Sequence, residues 1–178
     1  MSTTEVTTTG ADTKRRPVDY EAIKEVSAEV QLVDISTVAF SAQATRPLVG
    51  LRAGDLDQLL RYRAARQTDG GEKLLVKVEF EYTASSEGQT LAIVTGIFVA
   101  LYSTGPLVSA SSPDLRDTLS EVNGLYNTWS YLRELVSSSL SRLGLTGVLI
   151  PLWRPPTSLP PRGEYETLRS APLDESPR

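Results

Sequence analysis

The sequence predicts an α+β chain: a four-stranded antiparallel sheet with one long C-terminal helix packed on one face. Three observations carry this. Residues 73–83 alternate apolar and polar side chains without a break. Thr90 to Tyr102 is apolar at both parities, as a strand covered on both faces is. Ser112-Pro113-Asp114 then opens an apolar pattern at spacings of three and four that runs to Leu143.

Taken in order, Tyr20, Ile23, Val26 and Val30 keep helical spacing and predict a short helix. The chain continues into a β-branched stretch of Leu32, Val33, Ile35, Val38 and Phe40, whose apolar parity flips between Leu32 and Val33. Such a flip indicates a bulge or a strand that is apolar on both faces. Arg46-Pro47 ends it. Residues 48–67 fit a helix (Leu56, Leu59, Leu60, Ala64) and also a strand (Leu60, Tyr62, Ala64). The turn signal Asp69-Gly70-Gly71 favours a hairpin with the segment after it. In residues 73–83, Leu74, Val76, Val78, Phe80 and Tyr82 form the buried face, and Lys73, Leu75, Lys77, Glu79 and Glu81 the wet one. Ser86-Glu87-Gly88 turns the chain into the strand from Thr90, which carries Gly96 at its middle. The long helix has a capping hydroxyl at Ser112, Pro113 at its first position and Gly144 as its C-terminal cap, with Asn123-Gly124 as a candidate kink or break. Residues 1–17 predict an unstructured arm, 18–153 the folded domain, and 154–178 a proline-rich, unstructured tail.

Composition removes several function classes. The chain of 178 residues has no cysteine and no histidine, so thiolate and imidazole metal sites, disulfides and Cys/His or Ser/His nucleophile pairs are excluded. A net charge of -4 without a basic face argues against nucleic-acid binding. No window approaches the roughly 18 apolar residues of a membrane span. Met1 to Thr13 lacks an apolar core, so no secretory signal is expected and the cytoplasm is the expected location. Glu79 and Glu81 share a strand face, but they alternate with apolar partners like any solvated face. No glycine-rich phosphate loop follows a strand. No catalytic residue, cofactor or metal is expected.

The order of these elements, read with particular residues, resembles the SecB-like chaperone family. The segment Leu125-Tyr126-Asn127-Thr128-Trp129-Ser130-Tyr131-Leu132-Arg133-Glu134 is similar to that family's helix motif, and it continues to Arg142-Leu143-Gly144 and the Leu149-Ile150-Pro151 exit. Asp34-Ile35-Ser36, Thr83-Ala84-Ser85 and Gly96-Ile97-Phe98 add matches in strand order, so the resemblance covers about residues 26–153. It implies a four-stranded sheet backed by a long helix, assembly as a dimer of dimers, and apolar grooves that hold unfolded polypeptide. Some positions depart from the family. Ser130 replaces the motif's proline, and Thr146-Gly147 replaces the paired prolines after the helix. Of the acids that dock the SecA motor in export members, Asp34 is kept, while Val38 and Leu91 stand at the other two positions. A second, groove-lining helix after Pro151 is not evident.

The resemblance implies that Val33, Ile35, Leu75, Ile93 and Ile97, assigned to the second sheet face, serve subunit contact or client binding. Trp129 and Tyr131, at helical spacing, are expected in the core or a subunit interface. Asp34, Arg133 and Glu134 are the candidate partner-docking residues. The expected function is a homo-oligomeric chaperone for unfolded or partly folded polypeptides, with protein export as one setting. The alternative is a chaperone or scaffold dedicated to a single partner, such as an antitoxin, without delivery to SecA.

Overall fold

The computed structural model describes residues 15–70 and 72–170. The order is β1 (Arg16–Pro17), α1 (Tyr20–Ser27), β2 (Val30–Ala44), a 3-10 turn at Ala53–Asp55, β3 (Asp57–Gly70), β4 (Lys73–Ser86), β5 (Gln89–Thr104), α2 (Pro106–Ala110), α3 (Pro113–Arg142), β6 (Ser158–Leu159) and β7 (Glu166–Ser170). The architecture is α+β. The main sheet has five antiparallel strands in the order β2-β5-β4-β3-β7, and β1 pairs with β6 separately.

The four expected strands are present, and the fifth is the correction. Residues 154–170, expected as unstructured tail, carry β6 and β7, and Arg16–Pro17 of the expected arm pairs with Ser158–Leu159. The prolines at 155, 156, 160 and 161 do keep the chain out of helix. An extended backbone with free N–H groups is, however, what the unpaired edge of β3 accepts. The remaining parts of the arm and tail, 1–14 and 171–178, lie outside the described residues.

Strand β2 follows its sequence pattern closely. Its pairing with β5 slips between Leu32 and Asp34 and again between Thr37 and Ala39, leaving Val33 and Val38 without partners. The parity flip at Leu32/Val33 is therefore a bulge. The ambiguity over 48–67 resolves to a 3-10 turn followed by strand. Leu60, Tyr62 and Ala64 point to the core because β3 is hydrogen-bonded to β4 along its length, and cross-strand pairing outweighs local helix propensity. The β4–β5 turn places Glu87 at φ 50° and Gly88 at φ 74°, the backbone a tight hairpin requires.

Helix α3 runs 30 residues without interruption at Asn123-Gly124. Ser112 accepts a hydrogen bond from Leu115 N, and Gly144, at φ +94°, closes the other end. There Gly144 N donates to Ser141 O and Leu145 N to Leu140 O at 2.9 Å, the paired bonds of a Schellman cap. The helix lies across β3, β4 and β5 and barely reaches β2. Leu125, Trp129, Leu132, Val136 and Leu140 pack on Val76, Val78, Phe80 and Phe98 to form the main core. A second, smaller core joins Ile23 and Val26 of α1 to Val108, Leu119, Val122 and Leu159.

Candidate polypeptide-binding surface

Because α3 stops short of β2, that strand is, among the described residues, both an open edge and an uncovered shelf. Leu32 pairs with Tyr102 and Phe40 with Gly96, so both point to the helix side of the sheet, yet they are 44% and 45% exposed. The bulge residues Val33 and Val38 stand beside them, 59% and 63% exposed. A row of large apolar side chains along an unpaired strand edge suits an extended chain or a second sheet. Beneath Phe40, the missing side chain of Gly96 makes room for the ring of Phe80, which stacks on Phe98 at 5.7 Å.

The opposite face of the sheet is more mixed. Ile93 and Ile97 lie on it opposite Gln43 and Ala39 of β2, and Leu75 lies opposite Leu101. Ile93 is exposed, while Ile97 and Leu75 are half-buried. Across β3 and β4 the face becomes an ionic ladder. Arg63 hydrogen-bonds Glu79, Lys77 Nζ lies 2.5 Å from Glu79, and Arg61 Nη1 lies 3.7 Å from Glu81. Tyr165 lies under both guanidinium groups, 4.9 Å from Arg61 and 4.6 Å from Arg63. Burial acts to raise the Glu79 carboxyl, but the hydrogen bonds from Lys77 and Arg63 outweigh it and hold the group below the usual carboxylate range.

The expected site residues divide. Val33, Leu75, Ile93 and Ile97 are at the surface or partly so, as is Tyr131 on α3. Asp34 is on the outer face and exposed, its Oδ2 accepting from Ser36 Oγ at 2.7 Å. Glu134 is solvent-exposed. Ile35 and Arg133 are corrections, and Trp129 takes the core alternative of its expected placement. Ile35 pairs with Ala100 and packs on the main core, because the bulge at Val33 reverses the facing of the residues up to the second bulge at Val38. Trp129 is 4% exposed, edge-on to Tyr62, with Nε1 donating to Pro151 O at 2.8 Å. It is a core residue and offers no surface to a client. Arg133 donates from Nε to Ile150 O at 2.8 Å, so it pins the chain leaving the helix rather than standing free for a partner.

Leu32, Val38 and Phe40 were not singled out from the sequence. The signal was a second change of apolar parity, between Ile35 and Val38, which matches the second register slip. Burial pushes the phenols of Tyr62 and Tyr82 far above their ordinary range and Tyr102 up to about 12, which leaves them as hydrogen-bonding groups at neutral pH. Among the described residues no group of three His, Cys, Asp or Glu side chains is arranged to hold a metal ion, and no helix is long and apolar enough to cross a membrane.

Compared with known proteins, the chain matches no family model and no curated protein sequence. Among solved structures it is similar to the Mycobacterium tuberculosis SecB-like chaperone Rv1957 in complex with a ChAD peptide from the HigA1 antitoxin. The TM-score is 0.65 at 19% identity, over 76% of this chain and 99% of that one. This chain has the SecB-like fold. Nearly the whole of that SecB-like chain is matched by about three quarters of this one. Helix α3 runs on without a break through Ser130, and strands β6 and β7 follow Pro151.

Proposed function

We propose that the protein is a SecB-like chaperone that binds unfolded or partly folded polypeptide on apolar surface, without catalysis, cofactor or metal. The observation that carries this is the uncovered shelf and edge of β2, where Leu32 with Val33, and further along Val38 with Phe40, are exposed on one strand. The open edge of β2 also suits pairing with a second copy, and assembly as a dimer of dimers in the cytoplasm belongs to the same proposal. Client binding would be driven by avidity and weakly sequence-specific, since a long chain touches several apolar patches at once. The test is suppression of aggregation. The purified protein at chaperone-like stoichiometry delays the clouding of an unfolded test protein and binds an apolar dye. Failure of both removes the proposal.

A second reading, a chaperone dedicated to a single partner such as an antitoxin, is favoured by two observations. The SecB-like neighbour was solved with an antitoxin peptide. Two of the expected acidic docking positions are apolar here, with Val38 on an exposed bulge and Leu91 only 3% exposed, which weighs against delivery to SecA. Purification from the native host separates the two. One stoichiometric companion supports the dedicated chaperone, and a broad set of nascent or exported chains supports the general one.

A further inference from the structure

Strand β7 sits on β3 as a bound peptide would. Its five residues run antiparallel to Gln58–Tyr62, with Glu166 opposite Tyr62 and Leu168 opposite Leu60. Alternation therefore turns Glu166 and Leu168 to the helix side and Thr167 and Arg169 to the outer face. Leu168 packs on the main core and lines a cleft with Leu60, Tyr82, Leu149, Ile150 and Pro151. Glu166, 9% exposed, accepts from Arg15, with Nη2 at 2.7 Å and Nη1 at 3.3 Å. The strand is held by main-chain pairing and by two side-chain anchors, an acid and, two residues later, a leucine.

The rest of the strap is held by polar contacts. Arg162 Nη2 pairs with Asp114 at 2.5 Å and Asp117 at 2.9 Å, Arg63 Nη1 donates to Gly163 O, and Arg16 Nε donates to Pro160 O. Between residues 154 and 169 only Leu159 and Glu166 are buried. Every buried member of the main core lies at or before Ile150. Lifting β7 would thus open the β3 edge and the cleft without emptying the core. A segment with so little burial belongs to the low end of local stability.

We propose that the Gln58–Tyr62 edge of β3 is a strand-accepting peptide site. The chain's own Glu166–Ser170 occupies it in cis, and an extended polypeptide segment carrying an acid followed two positions later by a leucine-like side chain replaces it in trans. The identity of the incoming segment as a client rests on the chaperone reading; the strand exchange itself does not. The tethered strand acts as a competitor at high effective concentration, so a free peptide meets only the fraction of molecules whose strap has lifted.

The experiment uses the full chain and a fluorescent peptide of residues 164–170, Glu-Tyr-Glu-Thr-Leu-Arg-Ser. Leu168→Asp puts a charge in the cleft and releases the strap. The variant is expected to bind the peptide at least about tenfold tighter than wild type, the fold-change set by the competent fraction. Hydrogen exchange at the Gln58–Tyr62 amides should be faster in the variant and slow again when peptide is added. A peptide with aspartate in place of its leucine should not bind. Equal binding to both proteins, or no protection of Gln58–Tyr62, overturns the proposal. Glu166→Ala releases the strap by removing its other anchor, the ion pair with Arg15. It serves if Leu168→Asp loses its helical circular dichroism, and unfolding of both variants makes β7 a core element and overturns the proposal. Aggregation suppression is measured alongside. Strand exchange without suppression by either protein removes the chaperone reading and leaves the peptide site standing, whereas suppression without exchange removes the peptide site alone.

Discussion

Gly124 of α3 lies directly on Val76 of β4: a Cβ added at Gly124 would stand 2.6 Å from Val76 Cγ1. The absence of a side chain there sets the closest approach of the helix to the sheet. Gly124→Ala gains helix propensity of about 1 kcal/mol, but the new methyl meets a stiff, fully buried valine. The expected result is a net loss of up to about 2 kcal/mol, the overpacking cost of about 1–3 kcal/mol less that gain. Urea unfolding checks it, and a stabilised variant would mean that the helix can shift outward at no cost.

Trp129 joins helix, sheet and exit loop through Tyr62 and the Pro151 carbonyl. Trp129→Ala should cost about 3–5 kcal/mol, as large-to-small changes of buried aromatics do. Trp129→Phe keeps most of the packing and loses the Nε1 hydrogen bond, for about 1 kcal/mol. Denaturant midpoints of the two variants check the order, and a Trp129→Phe loss as large as that of alanine would contradict it.

The shelf of β2 makes a separable prediction. Replacing Leu32 and Phe40 together by serine should abolish apolar-dye binding and most aggregation suppression. Since both are surface positions, stability should move by only about 0.5 kcal/mol per site. Asp34→Asn, on the polar outer face beside Ser36, is expected to leave both readouts unchanged. Light scattering and dye fluorescence on matched samples decide.

Glu79 gives a pH dependence of defined sign. Its folded pKa lies below the ordinary value of 4.5, so it contributes stability that is complete above that value and is lost as pH falls through the folded pKa. Wild type should therefore weaken below about pH 4.5. Glu79→Gln should be less stable at pH 7 and decline less steeply in acid. Urea midpoints at pH 7, 4.5 and 3 measure this, and identical acid slopes in the two proteins would assign the dependence to other carboxylates.

The sequence by itself determined the elements whose cause is local. Alternation through Leu74–Tyr82, the Ser112-Pro113 start and the Gly144 cap each specify backbone or facing within a few residues. Only the tertiary structure decided matters set by distant partners. Residues 57–70 are strand because β4 pairs with them, and Ile35 turns inward because an upstream bulge resets the register. Trp129 is buried because Tyr62 and Pro151 close over it. The proline-rich tail carries no hydrophobic period, so nothing within it indicates a strand. Its order comes from the open edge of β3 and from Arg15, 151 residues away from Glu166 in sequence. Local pattern sets facing and turns; which edge is free, and which segment takes it, depends on contacts that no window of sequence contains.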